Sequence, residues 1–177
     1  MAPGLRLVFV GINPGIYSAQ RGRYFARPGN RFWPAFSRSR LSQPVRAALG
    51  RERLSPEDDG GLLSFGIGFT DIVKRATANA SVLTPADYQR EAPRLLERLT
   101  RCQPEVACFD GVTGYRAFAR YALDIPRWDG GLGLQSETIG PARIFVAPNL
   151  SAANAHFRLE DQIAWYDRLA EYLDSTP

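Results

Sequence analysis

Short apolar runs alternating with longer amphipathic stretches constrain this chain more than any other feature. LRLVFV (Leu5–Val10), EVACF (Glu105–Phe109) and ARIFVAP (Ala142–Pro148) read as buried strands, and LQSETIG (Leu134–Gly140) as another. FGIGFTDIV, from Phe65, predicts a brief strand or loop. Between them the spacing predicts helices over Asn30–Arg38, around Glu57–Ser64, over Val112–Leu123 and over Leu159–Leu173. The clearest start is Thr84-Pro85-Ala86-Asp87: a Thr cap, Pro at the first position and Asp in the first turn. That helix should run to about Arg101, with Tyr88, Ala92, Leu95, Leu96 and Leu99 on its apolar face. Strands alternating with helices imply an α/β protein: three layers, α/β/α, around a mostly parallel central sheet. No repeat, low-complexity tract or linker interrupts the pattern. Residues 1–177 are therefore expected to form one domain, burying about 70% of the unfolded surface.

Composition excludes several classes. Apolar residues make up 45% and charged residues 23%, as in ordinary globular proteins. No run approaches the roughly 18 apolar residues of a membrane span, and no signal-peptide layout opens the chain, so the expected address is the bacterial cytoplasm or nucleoid. Cys102 and Cys108 are the only cysteines and His156 the only histidine. They lack metal-ligand spacing and read as reduced, half-buried thiols beside a lone imidazole; no metal and no cofactor are expected. The net charge of +4 is almost wholly arginine, since Lys74 is the only lysine. Arg21, Arg23, Arg27 and Arg31 crowd between Tyr24, Phe25, Phe32 and Trp33. Basic side chains mixed with aromatic ones suit a nucleic-acid surface.

In parallel sheets the ligand lies beyond the carboxyl ends of the strands. GINPG after the first strand, FTDIV near residue 70 and PNLSAANAHF after the last strand all fall there. Pro14 disfavours the helical region for Asn13, which is held extended, while Gly11 and Gly15 let a ligand approach the backbone. An Asn so placed can orient water through its carbonyl oxygen and donate to a ligand through its amide, or bond its own backbone in an Asx-turn. Neither GxGxxG nor a P-loop lysine is present, which argues against dinucleotides and nucleoside triphosphates.

GINPG, followed by Phe25-Ala26 and then Pro28, Asn30, Arg31, Phe32 and Trp33, resembles the opening motif of the mismatch-specific uracil/thymine-DNA glycosylases. FGIGFTDIVKRAT and PNLSAANAHFRLEDQ are similar to that family's middle segment and second active-site motif. The resemblance implies the uracil-DNA glycosylase fold and a DNA substrate. It implies that Asn13 holds the attacking water, that Phe25 stacks on the extruded base, and that backbone at Ile12 and Phe25 reads the base edge. Asp71 stands where some relatives carry a non-acidic residue; a carboxylate there can accept a proton or steady a cationic sugar, or simply cap the next turn. The gap-filling position falls on Ala153, too small for a base-sized hole, with Asn154 and His156 as partial substitutes. Asn149 and Ser151 are candidates for base or phosphate contact. Tyr17 and Tyr24 belong to the pocket loop, and Arg23 and Arg31 to the DNA face.

The resemblance implies a monofunctional DNA glycosylase that hydrolyses the N-glycosidic bond of uracil, and of related deaminated or mismatched bases, leaving an abasic site for base excision repair. Lys74 follows an apolar pair and does not read as an amine nucleophile. Chains of this size in that class resemble monomers. A non-catalytic nucleic-acid or nucleotide-binding module, and a glycosylase preferring hypoxanthine or xanthine, are the alternatives.

Overall fold

The computed structural model describes residues 2–151 and 156–175. Among these residues five strands form one sheet in the order β2-β1-β3-β5-β4: β1 Leu7–Gly11, β2 Ile67–Asp71, β3 Val106–Asp110, β4 Gly133–Ile139 and β5 Ala142–Ala147. The first four in that order run parallel, and β4 joins β5 antiparallel through a turn at Gly140, whose φ is +57°. The parallel strands are buried on both faces, which is why they read as continuous apolar runs; β4, at an edge, alternates.

Among the described residues there are six α-helices, of which α2, α4, α5 and α6 pack on the sheet: α1 Ile16–Arg21, α2 Phe32–Arg38, α3 Gln43–Leu49, α4 Pro85–Cys102, α5 Val112–Ala122 and α6 Leu159–Ser175. On one face, Phe9, Phe69 and Cys108 pack with Phe32 and Phe36 of α2 and Tyr166 and Leu169 of α6. On the other, Val8, Val10 and Phe109 pack with Leu95 and Leu99 of α4 and Tyr115 and Phe118 of α5. The α/β/α architecture expected from the alternation is thus present. Helix α4 starts as expected, with Thr84 N–H donating to Asp87 Oδ2 at 2.9 Å and the Thr84 hydroxyl receiving the Asp87 N–H.

Three differences have local causes. The segment expected as a short helix is a 3-10 helix, Pro56–Phe65, in which Gly60 and Gly61 weaken the α conformation. Helices α1 and α3 were not expected, because at six and seven residues they are too short to show a period. Cys102 and Cys108 are both buried free thiols, not half-buried: Cys108 faces inward from a central strand.

Candidate active site

Period-two alternation places Leu7, Phe9 and Gly11 of β1 on the same sheet face as Ile67, Phe69 and Asp71 of β2 and Val106, Cys108 and Asp110 of β3. That row is apolar until its last members. At the strand tips it ends in two carboxyl groups, Asp71 and Asp110, on either side of a glycine. The absent Gly11 side chain opens the sheet edge: a Cβ there would stand 2.7 Å from Asp71 Oδ1 and 3.6 Å from the Phe25 ring. A cavity of about 800 Å³ begins at this point.

Phe25 is held over the opening by its neighbours. Its ring stacks on Phe32 with centroids 4.5 Å apart. Its backbone is left-handed, at φ +54°, an uncommon conformation for a bulky residue that the surroundings must enforce. Tyr24 N–H donates to Asp59 Oδ2, Ala26 N–H to the Ser18 hydroxyl, and the Trp33 indole N–H to the Tyr24 carbonyl, each at 3.0 Å. The Phe25 N–H and C=O have no partner among the described residues, so the chain presents one uncommitted peptide donor and acceptor at the cavity wall.

Asn13 is fixed by the segment that continues β2. Ile72 and Val73 N–H donate to the Gly11 and Ile12 carbonyls, and Thr77 N–H to the Pro14 carbonyl. On this staple the Asn13 amide nitrogen meets the Thr77 hydroxyl at 2.7 Å, the Arg75 carbonyl at 2.9 Å and the Pro14 carbonyl at 3.2 Å. Carbonyl acceptors identify which end of the amide is nitrogen. Two N–H groups facing three acceptors are fully committed, which leaves Oδ1 as the only hydrogen-bonding atom for a ligand. The amide therefore does not donate to a ligand, as the sequence allowed; the group on offer is an acceptor, the one a nucleophilic water needs. The Ile12 carbonyl is likewise committed, to Val73.

Two charges share the buried Asp71. Lys74 Nζ lies 4.0 Å from Asp71 Oδ2 and donates to the Thr70 hydroxyl at 3.1 Å. Arg98, from α4, donates to the Asp71 carbonyl oxygen at 3.2 Å. Burial pushes the Asp71 carboxyl up to about 6, against the pull of Lys74 and Arg98, and burial lowers the Lys74 ammonium. Asp110 differs: its Oδ1 accepts the Tyr166 hydroxyl at 3.1 Å, its Oδ2 has no partner among the described residues, and burial holds it well above the usual carboxylate range. Burial thus raises both acids, Asp71 to about 6 and Asp110 well above the usual range.

The cavity brings together Ile12, Asn13, Arg23, Tyr24, Phe25, Asp71, Asn149 and Ser151 from the sequence reading. Asn149 Oδ1 accepts the Ser151 N–H at 2.7 Å and so shapes the loop it belongs to. Tyr17 is not on the wall; its ring carries the Arg21 guanidinium at 4.7 Å. Arg23 pairs with buried Asp59 at 2.6 Å, and Arg31 donates to the Phe157 carbonyl, so both join loops of the fold. His156 is exposed at a bend and does not line the cavity. Ala153 and Asn154 lie outside the described residues.

Sequence reasoning missed Lys74, Thr77 and Asp110 as wall residues. For Asp110 a signal existed: it ends EVACFD in the same alternation phase as Cys108. Among the described residues no group of three or more His, Cys, Asp or Glu could hold a metal ion, and no helix is long and apolar enough to cross a membrane.

A family model described as the Uracil DNA glycosylase superfamily matches residues 1–173.

Proposed function

Because this chain belongs to the uracil DNA glycosylase superfamily, whose members are DNA glycosylases, we propose that it hydrolyses the N-glycosidic bond of uracil in DNA, and of related deaminated or mismatched bases, leaving an abasic site. The observation that carries this reading is the pairing of an acceptor-only Asn13 with a buried Asp71 at one cavity, roomy enough for an extruded base. The opening motif supports a place among the mismatch-specific members. DNA inside the cell is the substrate on this reading, and the protein acts as a monomer in the cytoplasm or nucleoid.

A base in a duplex has to leave the stack before this chemistry, at a cost of a few kcal/mol that a mispair reduces. In the cavity the extruded base lies against the Phe25 ring, with the unpaired Phe25 peptide group at its edge. Bond breaking develops positive charge on the sugar and negative charge on the base. Asn13 Oδ1 accepts a hydrogen from water and aims its lone pair at the sugar carbon. Ionised Asp71 stabilises the cationic sugar through space, and the Phe25 N–H meets the departing anion. Water is the nucleophile, so base release is monofunctional.

The test is a single-turnover base-release assay on oligonucleotides carrying uracil (single-stranded, opposite G and opposite A), thymine opposite G, hypoxanthine and xanthine. Release of free uracil, lost in Asn13→Ala, is the expected result. A protein that liberates no base from any of these is a binding module; one that prefers the purines moves the substrate, not the mechanism.

A further inference from the structure

Lys74 carries a feature that hydrolysis by water does not use. It is the only lysine of a chain whose other basic residues are all arginine, and its side chain lines the cavity that holds Asn13 and Asp71. Its position is built: Nζ donates to the Thr70 hydroxyl at 3.1 Å, and the next residue, Arg75, supplies a carbonyl that anchors the Asn13 amide. Lys74 and Asn13 therefore line one cavity. The Lys74 side chain is 45% exposed. The other basic side chains on this wall, Arg23 and Arg27, are guanidiniums and not nucleophiles.

We propose that Lys74 captures the abasic sugar generated in this cavity, forming a reversible imine with its open-chain aldehyde. The proposal rests on the glycosylase reading for the source of the aldehyde, and it departs from the sequence expectation for Lys74. The ammonium first passes a proton to the Asp71 carboxylate, 4.0 Å away. The freed lone pair attacks C1′ of the aldehyde and a carbinolamine forms. Asp71 returns the proton to the hydroxyl, which leaves as water, and a protonated imine remains. Ammonium and aldehyde become iminium and water, so no oxidant, reductant or external base is consumed. Burial already holds the ammonium below the ordinary lysine range, which favours the first transfer. A reactive product is thereby retained until an enzyme that cleaves abasic strands receives it.

The experiment supplies the aldehyde directly, so base release is not required. Full-length protein is incubated with a duplex containing a preformed abasic site and sodium cyanoborohydride, which reduces imines to stable amines. A one-to-one covalent protein–DNA species is expected, with the linkage mapped by peptide mass spectrometry to Lys74. Lys74→Arg, which keeps a cation beside Asp71, and Lys74→Ala should each reduce trapping at least tenfold, with circular dichroism confirming that both fold. No trapped species, a linkage at the terminal amine, or undiminished trapping in either variant overturns the proposal. A chain that releases uracil yet traps nothing would leave the glycosylase reading intact and end this one.

Discussion

Asp71 Oδ1 lies 2.7 Å from the point where a Cβ on Gly11 would stand, so the carboxylate occupies space that only a glycine at the tip of β1 leaves open. The two residues are register partners in adjacent parallel strands. Gly11→Ala should therefore move a central strand tip or eject the carboxylate. The expected cost is about 1–3 kcal/mol of stability, by urea unfolding, with base release falling at least tenfold. A variant of wild-type stability and rate would show that Asp71 does not depend on this gap.

Asp71 carries opposite consequences for stability and activity. Its carboxyl, ordinarily at 3.8, sits near 6 in the fold because burial favours the neutral form. Its contribution to stability is therefore present below pH ~4 and is lost as pH rises through about 6. Asp71→Asn should be more stable than wild type at pH 8, by about 1–3 kcal/mol. If the ionised form steadies the sugar cation, wild-type single-turnover rates rise with pH through about 6 and then level, while Asp71→Asn is slow and flat across that range.

Thr77 acts through Asn13. Asn13→Ala removes the water acceptor and should slow base release by about 10²–10⁴. Thr77→Val keeps the volume but deletes the 2.7 Å partner of the amide, leaving the Arg75 and Pro14 carbonyls. A smaller loss, about tenfold in kcat with KM little changed, is expected. An unaltered kcat would mean that the staple alone orients Asn13.

The arginines of the first loop should divide into two classes. Arg23→Ala leaves the buried Asp59 without its ion partner and loosens its hold on Tyr24, costing about 1–2 kcal/mol of stability. Arg27 is exposed on the cavity rim and forms no ion pair among the described residues. Arg27→Ala should preserve stability and weaken DNA binding, lowering the log–log salt slope by about 0.9. Equal slopes for wild type and Arg27→Ala would remove this side chain from the DNA face.

Much of the fold was legible because its signals are local. The apolar runs of β1, β3 and β5 need burial on both faces, and Thr84 with Asp87 closes a capping box within one turn. Pro14 likewise restricts Asn13 whatever surrounds it. The short helices α1 and α3 escaped because neither is long enough to display a period, and their stability comes from docking.

The sequence by itself determined the layered α/β arrangement, and it marked the strand tips, with Asn13, Phe25 and Asp71, which the fold brings to the wall of one cavity. Only the tertiary structure decided what those groups can do. Which way the Asn13 amide is turned depends on a carbonyl and a hydroxyl more than sixty residues away. The upward shifts of Asp71 and Asp110 depend on their burial in the folded chain, and the place of Lys74 on how the segment after β2 runs on beside the extension of β1. Orientation and ionisation are set by distances between groups remote in the chain, and residue order does not carry those distances.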